Sequence, residues 1–209
     1  MTETRATKRK QKTREKIRNA AQQLFLQHGF TATSTDAIMV RAGIASKETL
    51  YRYYASKKEL FTDVLRHFTV EKLEHSELLQ TSLAPQSLEE LRTVFTTFAQ
   101  VMMGIIMQPD YLAFIRMLIA ELPRFPYLGE IFRSTVPEQA MQLLTTMLEQ
   151  ARQRGLVHAV DADAVIRMFI GSLLTYVLLD GLFQPEKTFS PPPSARIEAI
   201  IDALMKAIA

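Results

Sequence analysis

The chain has 209 residues, of which 47% are apolar, and it contains no cysteine and seven glycines. This length provides a core for one helical bundle or two small domains, and the lack of cysteine excludes disulfides and thiolate chemistry. The scarcity of glycine, together with abundant Leu, Ala, Gln and Glu, favours an all-α fold. The basic N-terminus lacks the apolar segment of a secretory signal, so we expect a cytoplasmic protein.

Charge is distributed unevenly along the chain. Residues 1–62 carry 13 Lys and Arg against 5 Asp and Glu, whereas residues 63–209 carry 12 against 17. The excess of positive charge in residues 1–62 indicates a polyanionic partner. The alternative is that these charges belong to a solvated basic tail. Residues 1–12 are polar, basic and without apolar periodicity. We expect them to form a flexible arm that enters a minor groove, covers phosphates or stays disordered.

The first predicted helix spans residues 13–28, because apolar residues recur at helical spacing from Ile17 to Phe25 and Gly29 follows. Residues 33–58 then predict a helix that ends at Gly43, a turn, a short second helix capped by Ser46, and the start of a further helix. This is the layout of a helix-turn-helix, whose second helix enters the DNA major groove. We therefore assign residues 13–62 to a DNA-binding domain and residues 63–209 to a second helical domain.

The second helix of this motif presents residue types that bind DNA. Cations bind phosphates and hydroxyls donate to phosphates or bases, so the outward residues predict a DNA-binding face. For Tyr51 and Tyr53, packing of the rings into the small core is the alternative. Lys57 lies in the first turn of the next helix, where its positive charge opposes the helix dipole. A phosphate bound at this helix N-terminus would offset that effect, so Lys57 is a candidate phosphate contact. The candidate DNA-binding residues are Thr33, Thr35, Ser46, Lys47, Thr49, Tyr51, Arg52, Tyr53 and Lys57.

Residues 14–65 resemble the DNA-binding domain of TetR-family transcriptional regulators. The resemblance rests on Gly29-Phe30, Ala42-Gly43, Thr49-Leu50-Tyr51 and Ser56-Lys57-Lys58-Glu59-Leu60, in fixed order. The segment from Gly43 to Thr49 is one residue longer than is common in the family, as if Ala45 were inserted. The family implies a homodimer on a pseudo-palindromic operator, and a C-terminal domain that binds a small inducer.

Six further helical segments are expected after the motif. Capping residues, prolines and apolar periodicity define them. Their expected bounds are Lys57 to about Leu79, 87–108, Asp110–Leu122, 127–154 with a kink at Pro137, 162–182, and a last helix from Ser194. Segment 162–182 is apolar on nearly all faces, so it pairs with 137–154 in a predicted dimer bundle, unless it is the core helix of a monomer.

Methionine and aromatic side chains concentrate in residues 95–125, which suits either an adaptable apolar pocket or an ordinary core. The string Glu121-Leu122-Pro123-Arg124-Phe125-Pro126 resembles the AefR-like branch of the family. Glu121 either meets a ligand or pairs with Arg124. The candidate ligand-binding residues are Phe98, Met102, Tyr111, Phe114, Met117, Leu118, Glu121, Phe169, Leu173 and Tyr176.

No metal, cofactor or catalytic motif is evident in the sequence, because the histidines are scattered and no phosphate loop or nucleophile signature occurs. We therefore expect a ligand-responsive DNA-binding regulator, not an enzyme, and no membrane partner. Release of a repressor by an apolar or amphipathic inducer is the favoured mechanism. The alternatives are a ligand-dependent activator or co-repressor-type regulator, and a helical ligand-binding protein or enzyme with a vestigial helix-turn-helix.

Overall fold

The computed structural model describes residues 5–74, 84–135, 137–158, 160–184 and 191–209. These residues form helices and turns with no strand among them, which confirms the predicted all-α class. The helices in chain order are α1 Arg5–Ala32, α2 Thr35–Ala42, α3 Lys47–Tyr53, α4 Lys57–Glu74, α5 Leu88–Ile106, α6 Pro109–Glu121, α7 Tyr127–Thr135, α8 Pro137–Gln153, α9 Ala162–Tyr176, a π-helical turn Val177–Leu182, and α10 Ser194–Ile208.

Short-range hydrogen bonds explain where several helices begin. The side-chain oxygens of Ser46, Ser87 and Asp161 accept bonds from backbone N–H groups three residues further on. Ser34 caps α2 in the same way, since its hydroxyl accepts from the Ala37 N–H. Each cap satisfies an N–H group that has no acceptor within the helix.

One boundary differs from the expectation. Helix α1 begins at Arg5, so residues 5–12 are helical and are not a flexible arm; they contain Lys, Arg and Gln, which favour helix, and no Gly or Pro. Residues 1–4 lie outside the described residues, as do residues 75–83, where α4 was expected to continue to Leu79. A kink was predicted at Pro137; α7 ends at Thr135 and α8 begins at Pro137, and residue 136 between them lies outside the described residues.

The first of two compact units contains residues up to Phe68 together with Ala113–Phe132. Its core consists of buried apolar residues of α1 to α4, and rings of Phe25, Phe30 and Phe61 contact one another at its centre. The later segment adds Phe114, whose ring stacks on Phe61 at a centroid distance of 5.0 Å. The helix-turn-helix therefore shares a core with residues far along the chain.

The second unit contains Thr69–Leu112 and Arg133–Ala209. Its buried apolar cluster joins α5, α8, α9 and α10, with Phe95 and Phe169 in edge contact at 5.1 Å between centroids. Helix α9 buries one face through Ile166, Phe169 and Leu173. Met168 on its other side is 67% exposed within this chain, so α9 is not a core helix that one chain buries on all sides.

Candidate nucleic-acid interface

Helix α3 is the short helix that the motif assigns to the major groove. Ser46 precedes it in extended backbone, and its Oγ accepts from the Thr49 N–H at 3.2 Å. Leu50 is 2% exposed and anchors the helix on the core. Because a single buried anchor fixes its inner side, the remaining side chains of α3 lie at its rim or face outward.

The outward side of α3 carries cations and hydroxyls, as the sequence predicts. Lys47 and Arg52 are exposed, and Tyr51 is 49% exposed. Tyr51 therefore does not pack in the core, which removes the alternative considered for its ring. Thr49 and Tyr53 are half-buried at the rim. This face can offer positive charge and hydroxyl donors to a duplex.

A chain of polar contacts holds these side chains in place. The Ser46 and Thr49 hydroxyls are 3.1 Å apart, and the Arg52 guanidinium donates to Thr49 Oγ1 at 3.3 Å. Lys47 Nζ lies 2.8 Å from Asp36 Oδ1 on α2, and hydrogen bonding to this carboxylate raises the pKa of Lys47. The ion pair is solvent-exposed, so Lys47 can exchange Asp36 for a phosphate at small energetic cost.

The turn between α2 and α3 spans residues 43–46. Gly43 ends α2 in the left-handed region, with φ 65° and ψ 39°, a conformation that favours glycine. Ile44 and Ala45 follow before the cap residue Ser46. Ala45, which the resemblance suggests as inserted, thus lies in the turn, and Thr49 and Tyr51 lie within α3.

Thr33 is not on the DNA-binding face, so its prediction as a DNA contact is wrong. The residue is 2% exposed, and its hydroxyl oxygen lies 3.1 Å from the Leu24 carbonyl oxygen and 2.8 Å from that of Gly29, so its single hydrogen can be donated to either. Gly29 has φ 79° and interrupts α1, which leaves nearby carbonyls without regular helical donors. The Thr33 hydroxyl supplies a donor to one of them at a time. Thr35, by contrast, is half-buried at the first position of α2.

Lys57 faces inward in this structure. Its Nζ donates to the Thr33 carbonyl at 2.8 Å and lies 4.2 Å from the centroid of the Phe30 ring. Burial lowers the pKa of Lys57, and the negative charge of Glu121 opposes this effect. A phosphate contact by Lys57 would therefore require the ammonium group to leave the Thr33 carbonyl.

A network that the sequence analysis missed fixes the end of α3. Tyr54 is fully buried, and its hydroxyl donates to Asp63 Oδ2 at 2.6 Å, while Arg14 Nη2 lies 2.9 Å from Asp63 Oδ1. Burial and the Asp63 carboxylate both raise the pKa of Tyr54. Arg14 and Asp63 are 49 positions apart, so no local pattern could have paired them.

Glu121 belongs to the first unit and contacts the helix-turn-helix. Its Oε1 accepts from the Thr31 N–H at 2.8 Å, and its Oε2 accepts from the Thr31 hydroxyl at 2.6 Å. Desolvation raises the pKa of Glu121, but the bonds from Thr31 and the charges of Arg124 and Lys57 outweigh it and lower the pKa overall. Both carboxylate oxygens are thus engaged by Thr31, so the structure gives Glu121 a structural partner in place of the predicted ligand.

The ten candidate ligand-binding residues do not lie in one unit. Phe114, Met117, Leu118 and Glu121 belong to the first unit. The second unit holds the remaining six, four of them in its buried apolar cluster. These six are Phe98, Met102, Tyr111, Phe169, Leu173 and Tyr176. Phe169 and Tyr176 also line an open apolar groove of about 340 Å³ between α9 and α10.

Comparison with known protein families agrees with this architecture. Residues 17–64 match the family model described as bacterial regulatory proteins of the tetR family. Residues 93–207, more than half of the chain, match the C-terminal domain of AefR-like transcriptional repressors. The chain belongs to the TetR family. This TetR-family chain is thus a transcriptional regulator with a helix-turn-helix DNA-binding domain, and not an enzyme.

Individual relatives extend over nearly the whole TetR-family chain. The uncharacterized HTH-type transcriptional regulator YvaF of Bacillus subtilis is 23% identical and covers 88% of this chain and 90% of its own. The structure of the flavonoid-responsive regulator FrrA is 29% identical, with a TM-score of 0.71 over 94% of this chain and 96% of FrrA. A TetR-family regulator from Mesorhizobium loti, 22% identical, shares the fold with a TM-score of 0.75 over 99% and 100% of the two chains.

Proposed function

We propose that this TetR-family regulator is a repressor that leaves its operator when a small apolar or amphipathic molecule binds to its C-terminal unit. The observation that carries the proposal is the match of residues 93–207 to the C-terminal domain of AefR-like repressors. The likeness to the flavonoid-responsive regulator FrrA supports a flat, largely apolar inducer. Binding would shift the population toward a form with lower operator affinity.

The DNA contacts of this proposal come from α2 and α3. Lys47, Tyr51 and Arg52 provide exposed charges and a hydroxyl for phosphates, while Thr49 and Tyr53 lie at the rim, nearer to base edges. Thr35 and Ser46 complete the set at the N-termini of the two helices. Thr33 is excluded because it is buried, and Lys57 contributes only if its ammonium group turns outward.

The inducer site of this proposal lies in the second unit. Its apolar cluster includes Met102, Met103, Met107 and Met147 beside aromatic rings, and methionine side chains adapt readily to a ligand. Phe98 and Phe169, whose rings contact each other with centroids 6.0 Å apart, would offer aromatic surface to a flat apolar molecule. Glu121 is left out of this site because Thr31 binds its carboxylate. Phe114, Met117 and Leu118 are left out because they belong to the first unit.

A homodimer supplies the second recognition helix, which must enter a major groove about 34–36 Å from the first. Helix α9 and its π-helical turn are apolar and long enough to cross a membrane, yet only 28% of this apolar stretch is buried. In a DNA-binding regulator we interpret this exposed apolar face as the dimer surface. Its exposed large apolar residues are Met168, Leu174, Leu178 and Leu179.

The partner helix on this surface is α10, and not the segment 137–154 that the sequence pattern favours. Ala199, Ala203 and Ala207 of α10 line the groove beside α9, and such small side chains allow close approach of another helix. The exposed side of α8 carries mainly Gln, Glu, Arg and Thr, with Leu143 as its exposed large apolar residue. A polar face of this kind remains solvated at little cost.

A reporter fused to the upstream region of the gene for this protein tests the repressor assignment. Deletion of the gene should raise reporter expression, and restoring it should lower expression. A fall on deletion would favour the activator alternative instead. Purified protein should also prefer the upstream fragment over random DNA of the same length at matched salt. Equal binding to both fragments would favour a vestigial helix-turn-helix.

The inducer class is tested on the complex of the protein with its upstream fragment. Naringenin, a flavonoid, serves as the probe, and its more polar glycoside naringin serves as the matched control. Naringenin should release the DNA at concentrations where the glycoside does not, because the glycoside adds polar bulk that an apolar core excludes. Equal release by both compounds, or by neither, would contradict the proposed inducer class.

A further inference from the structure

Helix α1 extends beyond the small domain that it helps to build. It begins at Arg5, whereas its first fully buried residue is Ile17. Between residues 5 and 14 the sequence contains no Asp or Glu, and it contains Lys8, Arg9, Lys10 and Lys12. The N-terminal part of α1 is therefore a purely basic helical segment, which we call the basic extension, residues 8–12.

The basic extension has no ion-pair partner among the described residues. The side chains of Lys8, Arg9, Lys10 and Lys12 are all exposed, and the observed salt bridges lie elsewhere in the described chain. Positive charges at a helix N-terminus also oppose the helix dipole. Like charges on adjacent turns repel one another as well. No ion pair within the described residues offsets this repulsion among the four cations and with the helix dipole, whereas a bound polyanion would offset it.

The extension leaves the domain beside the end of the recognition helix. Tyr54, the C-cap residue of α3, places its hydroxyl 3.4 Å from the Arg14 carbonyl and binds Asp63, which also holds the Arg14 side chain. With a rise of about 1.5 Å per residue, Lys8 lies about 9 Å further along the helix axis than Arg14. Lys8 and Lys12 are four residues apart and share one face.

We propose that the basic extension binds the phosphate backbone of duplex DNA beside the major-groove site of α3. This inference rests on the proposed DNA binding by α3 and adds a second, sequence-independent contact. The partner is a nucleic acid because the charged segment is continuous with the helix-turn-helix. Lysine ammonium groups neutralise phosphates without reading bases, so the extension raises affinity for all DNA equally.

The test compares two double variants with the same change in charge. Lys8→Gln/Lys12→Gln removes two cations from the extension, and Arg152→Gln/Lys206→Gln removes two exposed cations from the C-terminal unit. Gln has a helix propensity close to that of Lys, and circular dichroism verifies the helix content. Binding to the upstream fragment and to random duplex is measured between about 50 and 200 mM salt.

We expect Lys8→Gln/Lys12→Gln to flatten the dependence of log K on log salt by roughly 1.8 on both DNAs, because each phosphate that is no longer neutralised reduces the slope by about 0.9. Arg152→Gln/Lys206→Gln should leave the slope at the wild-type value, and Lys8→Arg/Lys12→Arg should retain it. A wild-type slope in Lys8→Gln/Lys12→Gln overturns the inference. If the wild-type protein itself binds DNA without salt dependence, the proposed function fails, which is a separate result.

Discussion

The contact between Glu121 and Thr31 gives a prediction that can be worked through quantitatively. Glu121→Ala removes two hydrogen bonds, of 2.8 and 2.6 Å, and leaves the Thr31 N–H without its carboxylate acceptor. Each bond to a partly exposed carboxylate contributes about 1 kcal/mol, so the first unit should lose about 2 kcal/mol. For a chain of this size the midpoint of thermal unfolding should fall by about 4–8 °C.

Two assays measure this loss. Thermal unfolding followed by circular dichroism gives the shift in midpoint, and hydrogen exchange at the Thr31 amide reports the bond itself. A loss of about 2 kcal/mol corresponds to roughly thirtyfold faster exchange if opening is local. Glu121→Gln keeps one carbonyl oxygen as an acceptor and should lose about half as much. Glu149→Ala, at an exposed position on α8, is the matched control and should leave both measurements unchanged.

The same contact predicts a pH dependence. The pKa of Glu121 lies below the ordinary glutamate value of 4.5, so the ionised form is favoured in the folded protein. Its stabilisation is therefore complete above the unfolded pKa and is lost as the pH falls through the lower folded pKa. Wild type and Glu121→Ala should differ fully at about pH 7, and the difference should disappear as the pH falls below the folded pKa of Glu121. If Glu121→Ala has the same midpoint of thermal unfolding as the wild type at neutral pH, the role given to this carboxylate is refuted.

Three further predictions concern α3, its anchor and the dimer surface. Ser46→Ala should cost about 1 kcal/mol of helix capping and weaken binding to the upstream fragment, whereas Ser46→Gly should cost only a few tenths; equal effects would contradict the capping role. Tyr54→Phe should lower the free energy of unfolding by about 1–2 kcal/mol at neutral pH in urea titrations, because Asp63 loses its hydroxyl donor. Because the pKa of Tyr54 is raised above its ordinary value of 10.0, that contribution should disappear only as the pH rises beyond this value, and a loss on mild acidification would be inconsistent with it. Met168→Asp should give monomers in sedimentation, while Leu143→Asp on α8 should remain dimeric; the opposite pattern would place the interface on α8.

The sequence by itself determined those features that depend on residues within about one helical turn. Ser46 was recognisable as a cap because it bonds an N–H group three residues away. Gly43 was recognisable as a helix end because the left-handed conformation favours glycine. The order of these signals, with the family resemblance, was sufficient to predict the all-α fold and the recognition helix.

Only the tertiary structure decided which of the candidate side chains are available to a partner. Thr33 and Lys57 have residue types suited to DNA, yet the fold directs the first to carbonyls of α1 and the second to the Thr33 carbonyl. Glu121 meets Thr31 across 90 positions of sequence, a pairing that no local pattern encodes. Polar groups near a helix end bond to whichever donor or acceptor packing brings close, and that neighbour is set by the folding of the whole unit.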